Sequence, residues 1–182
     1  MSQSRSSWQI KGLSTAAELI SLIDLTSHER ALLSSLQGKA KAVAPKMTEA
    51  FYARLFAHSN TAEYLEGAPM DHLHAMVGNW FCDLFSGQYD EEYAKKRIAI
   101  GQTHVKVGLP VRYPLAMLDV IMPFGEELAR QSNQPEQAVT AFRKVLSIDV
   151  AIFNQAYEEN QLAHLAEFVG GERLARLLIS GQ

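Results

Sequence analysis

Apolar residues recur along this chain at spacings of three and four, the pattern of helices with one buried face. The clearest run is 71–85, where Leu73, Met76, Val77, Trp80, Phe81 and Leu84 fall at i, i+3, i+4, i+7, i+8 and i+11. That spacing predicts a helix with a wide apolar stripe, stopped by Ser86-Gly87. Upstream, Thr26 or Ser27 caps a helix over 27–37, with Glu29 in its first turn. Pro45 opens another over 45–58, whose apolar face holds Met47, Phe51 and Leu55 beside Tyr52 and Phe56. Residues 59–69 read as a looser stretch. Asp90, Glu91 and Glu92 start a helix to about 109, ended by Pro110. Pro114 opens a helix to about 132, kinked at Pro123, and Pro135 opens a long one to about 168. Gly170-Gly171 interrupts the pattern before ERLARLLI, which is either a short helix or the start of a connector. Residues 1–13 form an extended or short helical lead-in with Trp8 as an anchor.

No segment alternates strictly between apolar and polar with turn residues at its ends, so the predicted class is all-α. Helices of unequal length around a deeply placed histidine make a globin-like packing the natural candidate. The 182 residues suffice for one domain with a sizeable core. Composition agrees, with 47% hydrophobic and 20% charged residues. A net charge of −3 leaves no basic footprint for nucleic acid. No apolar run approaches the roughly 18 residues of a membrane span, and the N-terminus lacks the apolar centre of a signal peptide. A single cysteine, Cys82, cannot form an internal disulfide and reads as a buried thiol. A cytoplasmic protein with no nucleic-acid or membrane partner is the expectation.

Candidate chemistry concentrates in RIAIGQTHVKVGLP, residues 97–110. On a helix Arg97, Gly101, His104 and Gly108 share one stripe, bordered by Ile100 and Val107. Glycine inside a helix costs about 1 kcal/mol relative to alanine, so two of them flanking a histidine suggest that something flat approaches the backbone. The residues alone leave two readings open: an internally bonded core histidine, or a ligand to the metal of a flat macrocycle. Tyr52 is likewise either a core tyrosine bonded to a carbonyl or a hydroxyl aimed at a bound ligand. His72 and His74 point about 200° apart on a helix, so they cannot chelate one ion and read as surface or flanking residues. Asp119 and Asp149 interrupt apolar helical stretches, as partly exposed positions, internal hydrogen bonds or interface residues. No Cys-x-x-Cys-His, phosphate loop, Gly-x-Ser-x-Gly or His-Glu-x-x-His is present, so no catalytic residue is assigned.

The run DEEYAKKRIAIGQTHVKVGLPVRYPL resembles the signature of globin-coupled sensors, carried here by Asp90, Tyr93, Arg97, Ile98, Ile100, Gly101, His104, Gly108 and Leu109. EAFYARLFAH is similar to the family's Phe-Tyr helix, and the apolar-x-x-Asp pattern and Tyr157 of the last helix match as well. The resemblance runs from about residue 25 to 157. It implies a globin sensor domain over 1–168, with 1–24 as an N-terminal extension and 169–182 as a connector. It implies non-covalent haem b with His104 as the proximal iron ligand. Gly101, Gly108, Leu73, Val77, Phe51 and Ile100 would lie against the cofactor. Tyr52 would be the distal hydrogen-bond donor to dioxygen, with Leu73 and Met76 beside the gas, and carbon monoxide and nitric oxide would bind too. With no histidine in an obvious distal position, the ferrous iron is expected to be five-coordinate. The resemblance also implies a homodimer through the last two helices and a C-terminal output module such as a diguanylate cyclase, the globin domain itself not being an enzyme. Two other readings stand beside it: a single-domain globin for gas binding or dioxygenase chemistry, and a cofactor-free helical interaction module.

Overall fold

The computed structural model describes residues 15–181, and these form helices joined by short turns. In chain order they are α1 (Thr15–Leu22), α2 (Ser27–Ser34), α3 (Gln37–Phe56), α4 (Ser59–Ala62), a 3-10 turn (Glu63–Leu65), α5 (Met70–Asp83), α6 (Glu91–Lys106), α7 (Arg112–Ala116), α8 (Leu118–Ala129), α9 (Pro135–Val169) and α10 (Glu172–Ser180). Trp8 lies outside the described residues.

The boundaries have local causes. Thr26 and Glu29 form a capping box at α2, each side chain bonding the other's backbone N–H. Asp90 accepts from the Tyr93 N–H to start α6. Gly170, at φ +80°, closes α9 in the left-handed conformation.

Three expected boundaries moved. α3 begins eight residues before Pro45 and runs through it. The proline forfeits one backbone hydrogen bond in the helix, but Ala40, Ala44, Met47, Thr48 and Tyr52 are all buried along the same helix and hold it continuous. α6 ends at Lys106 rather than near Pro110, because Gly108 takes φ +74° and its N–H bonds the Val105 carbonyl at 3.0 Å. The single helix expected over 114–132 is two, α7 and α8, parted at Met117, and Pro123 lies inside α8. The stretch 59–69 holds α4 and the 3-10 turn.

α9 is the central strut: α6, α8, α2 and α1 all pack against it, and α3 packs on α5 and α8. Its buried face carries Phe142, Val145, Ile148, Ile152 and Phe153. Two approaches to α9 are close enough to require glycine. At Gly125 of α8 a Cβ would lie 1.9 Å from the Phe142 ring, and at Gly101 of α6 it would lie 2.6 Å from Ala156 Cβ and 2.7 Å from the Phe153 carbonyl oxygen. The segments expected to be an extension and a connector both contribute docked helices, with Ala16 and Ala175 fully buried.

Candidate functional site

Helices α3, α5, α6, α7, α8 and α9 enclose a cavity of about 350 Å³. Its wall is almost wholly apolar. Phe51, Tyr52 and Leu55 come from α3, Leu73, Met76, Val77 and Trp80 from α5, and Ile100 and His104 from α6. Met117, Ile121 and Phe153 close it from beneath and are buried. Met76, Thr103 and Val107 are exposed and mark its open edge.

His104 sits in this wall with one ring nitrogen committed. Its Nδ1 lies 2.8 Å from the Ile100 carbonyl oxygen, four residues earlier on α6. A carbonyl only accepts, so Nδ1 must carry the proton, and Nε2 holds a lone pair. No described residue bonds Nε2. Burial lowers the basicity of the ring and the Ile100 bond only partly restores it, so the imidazole stays neutral. A neutral, oriented imidazole whose other nitrogen bonds a carbonyl is the form in which histidine ligates metals. Phe153 meets the ring edge-on at 5.4 Å and fixes its plane. Among the described residues no three His, Cys, Asp or Glu side chains gather to hold a bare ion. One nitrogen donor in a large apolar cavity fits a metal that brings its own equatorial ligands in a flat organic ring.

Tyr52 is 5% exposed, and burial pushes its hydroxyl up to about 12. It therefore keeps its proton and remains a donor, and no described residue accepts from it. Phe51 packs edge-on against its ring at 5.2 Å. His74 stacks on it at 4.5 Å, so this histidine is a half-buried ring partner and not a surface residue. His72 is exposed, as expected.

Of the sequence-predicted site residues, the fold brings Phe51, Tyr52, Leu73, Met76, Val77, Ile100 and His104 to one cavity. Gly101 and Gly108 are a correction. Neither lines the cavity: Gly101 faces α9, and Gly108 lies beyond the helix in the left-handed conformation with open space around it. Their helical spacing with His104 therefore reflects helix packing and helix termination, not a flat face. The sequence reading also missed Tyr64 and Tyr113, half-buried in the wall with ring centres 6.3 Å apart. Tyr64 falls in the stretch read as loose. Tyr113 sits between Pro110 and Pro114, where the helical period gives no phase.

Beside the cavity lies a buried ionic cluster. Arg97, 1% exposed, bonds Asp149 at 2.6 Å through Nε and Asp83 at 3.1 Å through Nη1. Asp149 also accepts from the Tyr93 hydroxyl at 2.6 Å and the Trp80 indole N–H at 3.0 Å. The guanidinium lies 3.7 Å from the Tyr93 ring centre. Asp149 is thus an internal hydrogen-bond residue joining α5, α6 and α9, and it borders the cavity. Asp119 is exposed and pairs with Arg54 at 3.3 Å.

A family model described as Protoglobin matches residues 14–163. The globin domain of the Geobacter sulfurreducens globin-coupled sensor is similar at 29% identity, with a TM-score of 0.71 over 78% of this chain and 96% of that one. The globin domain of E. coli DosC, in its ferric and ferrous forms, is similar in fold at 17% identity, TM-score 0.65, over 78% of this chain and 99% of that one. No curated protein matches the chain.

Proposed function

The chain belongs to the Protoglobin family, and from that premise we propose that it is a haem-based sensor domain for a diatomic gas. The observation that carries this reading is His104, with Nδ1 bonded to a carbonyl and Nε2 unengaged in an apolar cavity that Tyr52 also lines. Non-covalent haem b supplies, when bound, an iron at which dioxygen, carbon monoxide or nitric oxide binds reversibly. His104 holds it through Nε2. Phe51, Val77 and Ile100 supply apolar surface against the ring, and Leu73 and Met76 flank the gas.

Tyr52 gives the preference among gases. Its buried hydroxyl donates toward the gas, and dioxygen draws more negative charge than carbon monoxide and gains more from a donor. The apolar helix face of Leu73, Met76, Val77 and Trp80 keeps water from competing for that bond.

Signalling runs from α6 to α9. Gly101 places the His104 helix against Ala156 and the Phe153 backbone, so a displacement of His104 bears directly on α9. A homodimer through α8 and α9 passes this to an output module such as a diguanylate cyclase, in the cytoplasm. The test is the dioxygen dissociation rate of the haem-loaded protein and its Tyr52→Phe variant. Loss of the donor accelerates dissociation about tenfold or more. An unchanged rate removes Tyr52 from this role.

A further inference from the structure

A haem carries two carboxylates on one edge, and the cavity wall has one place suited to them. Beside Asp149 the donors are already turned to that carboxylate, save Arg97 Nη2, which is buried without a partner and does not line the cavity. Asp149 is itself an anion, with one oxygen bonded by Trp80 and the other by Tyr93 and Arg97. Two further carboxylates beside Asp149 would be buried against a like charge.

The wall formed by Tyr64 and Tyr113 is different. Both rings are half-buried, and neither hydroxyl proton has an acceptor among the described residues. Arg112 is exposed, its guanidinium 4.7 Å from the Tyr113 ring centre and its Nη2 3.3 Å from the Tyr113 hydroxyl. Arg112 makes no ion pair among the described residues, so its charge is available. The acidic neighbours of Tyr64, Glu63 and Glu66, are exposed to water and screened.

We propose that Arg112, Tyr113 and Tyr64 form the carboxylate pole of the cavity, so that a tetrapyrrole enters with its apolar edge toward Asp149 and its two carboxylates toward these three donors. The inference rests on the haem reading above and assigns the ring's orientation within it. Arginine and a tyrosine hydroxyl together recognise a carboxylate by charge and by hydrogen bonding.

The test uses the full chain and iron-free protoporphyrin IX, which has no metal bond to His104, beside its dimethyl ester, which has no charge on that edge. Fluorescence titration compares the two. The wild-type protein binds the free acid about five- to tenfold more tightly than the ester. Arg112→Gln narrows that preference, and the triple variant Arg112→Gln, Tyr113→Phe, Tyr64→Phe abolishes it. The ester comparison needs no variant, so it stands even if a substituted protein folds poorly. Equal binding of acid and ester by the wild type overturns the proposal and leaves the haem reading intact. So does a preference that survives in a folded triple variant. A wild-type protein that takes up neither porphyrin overturns the proposal, whereas only a failure to bind haem itself contradicts the haem reading.

Discussion

At the scale of single residues, the proposed function rests on two side chains whose protonation states are set by burial. His104 is neutral because charging it would bury an ion. Tyr52 keeps its proton for the same reason. The Arg97–Asp149 pair is a third such site, and its role is architectural. Asp149 gathers three donors from α5 and α6, so Asp149→Ala leaves the Arg97 Nε–H, the Tyr93 phenol and the Trp80 indole without their acceptor, Asp83 alone still pairing the buried guanidinium. Denaturant unfolding of that variant is expected to show a loss of about 3–5 kcal/mol. A loss below about 1 kcal/mol would mean that the cluster relaxes into water. At this scale the sequence was informative about His104 and Tyr52, which stand out as polar residues on apolar helix faces. It was ambiguous about Asp149, because one carboxylate in an apolar run does not reveal the arginine 52 residues away that pairs with it.

At the scale of elements, close helix contacts and caps set the geometry. Gly101→Ala drives a methyl into Ala156 and into backbone of α9 that cannot rotate away. We expect destabilisation of about 1–3 kcal/mol despite alanine's better helix propensity, and weaker haem retention because His104 rides on the same helix. Retention equal to wild type would separate that contact from the site. Gly125→Ala meets the Phe142 ring and is expected to destabilise by a similar amount without altering the cavity. Glu29 links α2 to α9. Burial alone would raise its carboxyl, but hydrogen bonds from Lys144 and Thr26 outweigh it and hold the group below its ordinary 4.5. A lowered folded-state value means that this stability is present above the unfolded value and is lost as pH falls through the folded one. Glu29→Gln therefore costs about 1 kcal/mol at pH 7 and less at pH 3, read from thermal melts at both. An equal cost at both pH values would contradict the ionic part of this link.

Elements were legible where a period of three and four met a recognisable cap, as in α2, α5 and α9. They were misjudged where a glycine or proline had two meanings. Pro45 suggested a start and lies within α3, because tertiary packing of that helix outweighs one lost backbone bond. Gly101 and Gly108 suggested a pair and do unrelated work, one in packing and one in a cap. Nothing in a single sequence distinguishes a glycine that admits a cofactor from one that admits a neighbouring helix.

At the scale of the whole molecule, the helices build one apolar cavity and seat a single nitrogen donor in its wall. No helix among the described residues is long and apolar enough to cross a membrane. Apolar surface also remains exposed at the end of the chain, where Phe168 is 90% exposed and Leu174, Leu178 and Ile179 of α10 are open to solvent. α9 reaches from the cavity to that end, so it spans from Phe153 beneath the site to the helix that follows it.

The central claim is that this cavity holds haem through His104. The most direct measurement is absorbance during titration of the purified full chain and its His104→Ala variant with haem, followed by reduction and addition of carbon monoxide. The wild type is expected to develop a saturating Soret band at one haem per chain that shifts on carbon monoxide binding, and His104→Ala to lose tight binding and regain a ligated spectrum with added imidazole. A wild-type protein with no saturable band, or a His104→Ala variant with the wild-type spectrum and affinity, would contradict the account.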